Sequence, residues 1–401
     1  MDFKLTPEDH GFQQDVRHFI AEALPPEVAK RKGRGFHDRR ADQTIWQRLT
    51  SAKGWGVPRW PVEHGGCAWS PMQHHIWELE CGLADAPEPG ASQIMVGPVI
   101  ARFGSSEMKA RYLPGLRNGD IYCAQGFSEP LAGSDLAALR TRAERQGEYW
   151  VINGQKVWTT GAHESDVLLC LCRTDPAAKP QAGLSMIMVD MRLPGVTVRP
   201  IRTIDGQHTV NEIFLDDVRV PIDELIGEPN RGWTYAKFLL ENERTYNAHL
   251  PDLIRYCGRI LKIADEEEAR TGQVILTEEF LARYAMLWMD VEALRWSVLR
   301  VLSDKSQAGG IQMAAASSLK IVGSELLLAC SQMLMEVVGQ ESMPLYSPPW
   351  EPDYAESTAD ALPDAPGLTT QYLYWRASTI FGGSNDIQRQ IIWSSISGGI
   401  D

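Results

Sequence analysis

A chain of 401 residues, 44% apolar and 23% charged, is long enough for two or three packed units and apolar enough to bury them. Its net charge of -13, with no long run of Lys and Arg, excludes a surface that tracks a phosphate backbone, so no nucleic-acid partner is expected. Seven scattered cysteines and nine histidines without HExxH-type spacing exclude a disulfide framework and a protein-held metal.

The first residues, from Met1 to Asp9, show no basic segment followed by an apolar one, so no signal peptide is read. No apolar stretch approaches the ~20 residues of a membrane span, and a reduced cytoplasmic setting is expected. From the start to residue 120 the period is helical. Thr6 is a predicted N-cap, with Pro7 in the first turn and Asp9 three residues on. Phe12, Val16, Phe19, Ile20 and Ala23 then share one face, and Pro25-Pro26 ends the helix. Further helices are predicted over residues 44–52, 72–83, 96–103 and 108–113. The segment from Trp55 to Pro61 reads as a rigid connector. Among thirteen Trp, most read as core filler, with a face against a planar ligand or another subunit as the alternative.

Residues 121–230 change to a period of two. Asn153-Gly154 between apolar runs at 149–152 and 155–160 predicts a β-hairpin. Strand-like runs follow at 166–172, 184–190, 196–201 and 211–218, which suggests a small β-barrel or sandwich. Cys170 and Cys172 lie in one of these runs, not in a metal-type pair. Helical periodicity returns over residues 231–401, with predicted helices at 234–268, 277–303, 311–338, 369–379 and 384–395. This is the pattern of a helix bundle. Pro251 should kink the first of them, and residues 342–368, rich in Pro, Asp and Ala, read as a surface loop. The predicted class is mostly α with a central β domain: an N-terminal helical domain (1–120), a small β-barrel (121–230) and a C-terminal four-helix bundle (231–401).

Three motifs carry chemistry. Gln125-Gly126-Phe127-Ser128-Glu129-Pro130, followed by Gly133-Ser134-Asp135, resembles the acyl-CoA dehydrogenase signature. Lys156-Val157-Trp158-Thr159-Thr160 resembles that family's second flavin segment, and Phe381-Gly382-Gly383-Ser384-Asn385-Asp386-Ile387-Gln388-Arg389 its C-terminal signature. Their order spans nearly the whole chain, and the wording is similar to the bacterial degradative branch. Alone, Ser128-Glu129-Pro130 is a turn, Trp158 a strand aromatic and Ser384 a helix N-cap.

The resemblance implies FAD as cofactor and an acyl-CoA thioester as substrate. A flavin needs hydrogen bonds around its pyrimidine edge and an apolar wall behind its ring. By resemblance, backbone groups of Gln125 and Phe127 and the Ser128 hydroxyl meet that edge. Trp158 covers one ring face and Thr160 bonds near the reactive nitrogen. Ser384 and Asp386 contact the cofactor, and Ser134 sits beside CoA. The Gly382 amide helps polarise the thioester carbonyl, stabilising the enolate that proton removal creates.

The family's usual catalytic Glu is replaced here by Gly382. A smaller branch carries the base on the first bundle helix immediately before an Arg, and Glu243-Arg244 matches that site. Glu241 competes, but two residues turn a helix by about 200°, so both cannot face one pocket. The resemblance therefore assigns the α-proton to Glu243 and the β-hydride to the flavin, with Arg244 as a structural or CoA-side partner. Two departures bear on contacts to a neighbouring subunit's FAD. Arg270 lacks the Phe that usually follows it, and Glu336 stands where a Gln is common. The resemblance implies a homotetramer, with a heterotetramer as alternative, and an electron-transfer flavoprotein as acceptor. Two competing readings remain: an oxidase or lyase-like relative, and a partner subunit with no activity of its own.

Overall fold

The computed structural model describes residues 5–33, 37–241, 248–303, 310–342 and 365–397. Its N-terminal part consists of α1 (Pro7–Ala23), α2 (Pro26–Gly33), α3 (Arg40–Lys53), α4 (Pro71–Leu83), α5 (Gly97–Phe103) and α6 (Ser106–Asn118). The predicted cap of α1 is present. The Asp9 amide donates to Thr6 Oγ1 at 3.1 Å, and the Asp9 carboxylate accepts from the Thr6 amide at 3.0 Å. Helix α2 is not foreseen by the sequence reading. Pro25-Pro26 does end α1, but Pro26 also opens α2, where a missing amide costs nothing. Lys30, Arg31 and Lys32 then complement its C-terminal dipole.

Trp46 and Trp77 stack at 6.3 Å, with Phe19, Trp55 and Trp69 edge-on or tilted around them. These indoles are core, as the plainer reading holds. A π turn, Ser92–Val96, leads into α5. There Gly97 faces the buried Trp60 ring, which donates its Nε1–H to the Gln93 carbonyl at 2.7 Å. An added Cβ would penetrate that ring. Replacing Gly97 with Ala is expected to destabilise the protein by about 1–3 kcal/mol, read as a lowered urea midpoint at unchanged slope.

The middle part is a seven-stranded sheet of β1 (Cys123–Gly126), β2 (Arg142–Gln146), β3 (Tyr149–Thr160), β4 (Val167–Arg173), β5 (Leu184–Asp190), β6 (Val196–Ile201) and β7 (Val210–Pro221). The order is β1-β4-β2-β3-β7-β6, with β5 on the other side of β4. The expected small barrel takes the form of a curled sheet whose halves meet at one bridge, Arg142↔Arg173.

The predicted Asn153-Gly154 hairpin turn is corrected. Tyr149–Thr160 is one strand, and Asn153 lies opposite a bulge in β7: pairing passes from Ile152↔Val218 to Gly154↔Leu215, so Asp216 and Asp217 stand against Asn153 alone. Gly154 takes φ +156°, a value glycine tolerates, and any side chain there would run into Thr141. The turn itself lies at Gly147-Glu148, since Gln146 pairs with Tyr149 and Gly147 has φ +61°.

The C-terminal part holds α7 (Gly232–Glu241), α8 (Leu250–Thr271), α9 (Glu278–Ser303), α10 (Gly310–Val338), α11 (Ala365–Trp375) and α12 (Asn385–Ile396). The single helix expected over 234–268 is interrupted. His249 is left-handed at φ +51°, and Pro251 falls in the first turn of α8, where it starts a helix instead of kinking one. The expected loop at 342–368 ends sooner, because α11 begins at Ala365; residues 343–364 lie outside the described residues.

Helix α10 packs on α8, α9, α11 and α12. From Met313 to Val338 it is long and apolar enough to cross a membrane, contrary to the sequence reading, but 56% of its most apolar window is buried inside the protein. That burial is the mark of a core helix.

Candidate active site

The first two motifs meet in the middle part. β1 ends at Gly126, so Phe127 and Ser128 lie just past a strand end, and Glu129 closes a tight turn with Ala132. Lys156 on β3 is wholly buried. Its Nζ donates to the Phe127 carbonyl at 3.1 Å and to Glu129 Oε1 at 2.8 Å. Glu129 also accepts from the amides of Arg140 and Thr141 at 2.6 and 2.9 Å. Burial opposes the charge on Glu129, but Lys156 and these donors outweigh it and hold the carboxyl below its ordinary range. The Val157 amide donates to the Ser128 carbonyl at 2.9 Å. Sequence reasoning singled out both motifs but assigned no role to Lys156 or Glu129, the buried ion pair that bolts one to the other.

Beyond Lys156 the pairing of β3 with β7 shifts again, between Lys156 and Thr159. Trp158 sits at that irregularity with φ +60°. Its side chain is 60% exposed. A large apolar ring, on a backbone conformation that non-glycine residues rarely adopt, is thus turned outward. Beside it, Thr159 Oγ1 is buried with no hydrogen-bond partner among the described residues. Thr160 is exposed, Gln125 and Ser128 are half-buried, and Phe127 is buried. Ser134 is exposed in the loop after the Glu129 turn.

The third motif forms a glycine turn onto α12. Gly382 and Gly383 take φ +64° and +81°, which spares the turn the Cβ strain of other residues. The Ser384 hydroxyl caps α12 by accepting from the Ile387 amide at 3.3 Å. Asn385 is buried and accepts from Lys320 Nζ at 2.8 Å and Ser324 Oγ at 3.2 Å. Burial lowers Lys320 to about 8. Asp386 is exposed, 3.5 Å from Arg389.

A cavity of about 590 Å³ lies where the N-terminal helices meet α7 and α8, within the ~300–1,000 Å³ usual for small-molecule sites. Trp46, Trp60, Trp77, Ile94 and Pro98 give it broad apolar walls. Phe238 and His249 also line it, and the segment between them carries Glu243 and Arg244. Both of those residues, assigned as base and partner, lie outside the described residues.

Comparison with known proteins decides the family. The acyl-CoA dehydrogenase N-terminal domain matches residues 6–120, the middle domain 124–218 and the C-terminal domain 230–397. The chain belongs to the acyl-CoA dehydrogenase family. It is 33% identical to acyl-CoA dehydrogenase FadE29 of Mycobacterium tuberculosis, over 98% of this chain and 97% of that protein. Among solved structures it is similar to the Tcur3481-Tcur3483 steroid ACAD, with a TM-score of 0.84, 27% identity and full coverage of both chains. It is also similar to the ChsE4-ChsE5 complex from Mycobacterium tuberculosis, with a TM-score of 0.82, 28% identity and 99% coverage of each chain.

As an acyl-CoA dehydrogenase the chain is an oxidoreductase whose family cofactor is FAD. The residues present fit that group. An outward-facing indole and a bulge that leaves a buried hydroxyl unpartnered beside it are what a planar, hydrogen-bonding ligand requires. The charge of Glu336, unfavourable beside a pyrophosphate, is compensated here by Arg283 at 2.7 Å. Arg270 is engaged by Glu267 at 2.6 Å.

Proposed function

We propose that the chain dehydrogenates an acyl-CoA at its α and β carbons to an enoyl-CoA. The observation that carries this reading is Trp158, held outward on a strained bulge that the Lys156–Glu129 pair ties to the Ser128 segment. Gln125, Phe127, Ser128, Trp158 and Thr160 would hold FAD from the middle part, and Ser384 and Asp386 from α12. When bound, FAD supplies the acceptor for the β-hydride. Glu243 removes the α-proton, and the Gly382 amide donates to the thioester oxygen as charge develops there. Ser134 and Arg244 would contact the CoA part.

The breadth of the cavity supports an acyl group that carries rings, in keeping with the steroid enzyme among the similar structures. An electron-transfer flavoprotein takes the electrons. Because two of the similar structures are named as pairs of different chains, a heteromeric assembly is favoured over the homotetramer. Light scattering of the chain, alone and with a second subunit, distinguishes the two.

The test is anaerobic titration of the FAD-loaded protein with a panel of straight, branched and ring-bearing acyl-CoAs. Bleaching of the flavin by ring-bearing members at stoichiometric amounts is the expected result. Inertness to the whole panel, alone and with a second subunit, would remove the reading in favour of a non-catalytic partner subunit. Peroxide release in air without an added acceptor would mark an oxidase.

A further inference from the structure

The glycine turn of the third motif is held from one place. Its tip, from Ile380 to Gly383, is exposed. Its ends are closed on each other by the Asn385 amide, which donates to the Thr379 carbonyl at 2.8 Å. Both ends are also pinned to a single turn of α10. At the entry, Ser378 Oγ donates to the Ser324 carbonyl at 3.4 Å. At the exit, Asn385 Oδ1 accepts from Lys320 Nζ at 2.8 Å and from Ser324 Oγ at 3.2 Å. Lys320 and Ser324 are four residues apart and so share one face of the helix. Of the three ties to α10, the ammonium bond is the shortest and the one assisted by charge.

Stability does not ask for a lysine at this position. Lys320 is 4% exposed, and no carboxylate pairs with it among the described residues. The charged residues that follow on the two helices answer one another instead: Glu325 and Asp386 lie 2.8 and 3.5 Å from Arg389. An ammonium carries three donors, and among the described residues one bond engages it. Burial disfavours its charge, and no neighbouring charge offsets that. The cation also lies beside the first residue of α12, at the positive end of that helix dipole. A lysine kept against all these costs is explained by what it holds.

We propose that Lys320 is a positioning residue of the active site. Acting through Asn385, it sets the Gly382–Gly383 turn, and so the Gly382 amide and the Ser384 hydroxyl, against the ligands. This rests on those two groups meeting the thioester and the cofactor, as in the proposed function, and adds the residue that fixes their place. Donors aimed at developing charge must be held closely, since ~1 Å of misplacement can cost on the order of 10²-fold. Lys320 needs no contact with either ligand to do this.

The experiment compares the unaltered FAD-loaded protein with Lys320→Met, Lys320→Gln, Asn385→Ala and the double variant Lys320→Met/Asn385→Ala. FAD affinity is read by flavin fluorescence. Flavin reduction is followed with the member of the acyl-CoA panel that bleaches the unaltered protein fastest. The urea midpoint is corrected for the measured FAD affinity. In Lys320→Met, FAD binding should weaken about tenfold and reduction at saturation should slow about tenfold, the worth of one hydrogen bond to a charged group. The half-saturating acyl-CoA concentration should stay within about twofold, as when an interaction made in the transition state is lost. The corrected urea midpoint should hold or rise, because an apolar chain of similar length replaces an uncompensated charge. Lys320→Gln keeps a donor for Asn385 and should recover part of both losses. The double variant should be no weaker than Asn385→Ala alone, since the two residues act as one tie.

Unaltered FAD affinity and reduction in Lys320→Met overturn the inference, as do losses that add in the double variant. A corrected urea midpoint that falls in step with both losses also overturns it, and makes Lys320 a structural residue. If no acyl-CoA reduces the unaltered protein, the dehydrogenase reading fails, while the FAD affinities and the urea midpoints still decide on Lys320. Normal reduction by every variant leaves the dehydrogenase standing and removes the positioning role.

Discussion

Glu243→Gln is expected to retain FAD while slowing flavin reduction by an acyl-CoA about 10²–10⁴-fold, the usual contribution of a positioned general base. Glutamine keeps the shape and hydrogen-bonding reach of the side chain but cannot accept the α-proton. The segments that fit the cofactor lie in the middle part and at α12, away from residue 243 in the chain, so binding and chemistry separate in this variant. Stopped-flow absorbance of the oxidised flavin band under anaerobic conditions reads the rate, and flavin fluorescence reads retention. Glu241→Gln is the control. With Glu243 as the base, that variant should reduce at close to the normal rate. Normal reduction in Glu243→Gln would remove the assignment, and a slow Glu241→Gln would move it.

Lys156→Met should destabilise the protein by about 3–5 kcal/mol, the cost of leaving one member of a buried ion pair uncompensated. Lys156 is wholly buried, and its removal strands Glu129 with only the Arg140 and Thr141 amides to stabilise its charge. The double variant Lys156→Met/Glu129→Gln should recover part of the loss, because no charge is then left in the interior. Urea unfolding of these proteins together with the single variant Glu129→Gln completes the cycle, and FAD retention reports whether the Ser128 and Trp158 segments have parted. The pH dependence has a definite sign. Glu129 is held below its ordinary value of 4.5, so its contribution is present above that value and is lost as pH falls through the lower, folded one. Lys156→Met should lack this acid-side loss. Equal stability of the single and double variants at neutral pH would show that packing, not charge, dominates the site.

What was legible in the sequence is what is local. The cap of α1 is written in Thr6 and Asp9, three residues apart, and strands β4 to β7 in runs of alternating or continuous apolar residues, whereas β1 and β2 carry no such run and were not foreseen. The three motifs gave the family because each is contiguous in the chain. Misreadings arose where one local signal serves two structures. Asn153-Gly154 suits a turn and also a strand opposite a bulge, where Gly154 tolerates φ +156°, and pairing with β7 decides between them. Pro251 breaks a helix interior and opens a helix start, and the left-handed His249 decides for the second. Nothing local could show Lys156 against Glu129, 27 residues apart. Nor could it show Arg255 on α8 against Asp85, 170 residues apart. Such sites exist only once the fold has formed.

Helix α10 sets an order of events for biosynthesis. It is the most apolar long helix described, and two of the four helices that cover it, α11 and α12, come after it in the chain. As the protein emerges from the ribosome, this segment is therefore fully made before half of its cover has been translated. A nascent chain in that state exposes a greasy surface of the kind that recruits chaperones or aggregates, and a message cut short before Ala365 would leave it so permanently.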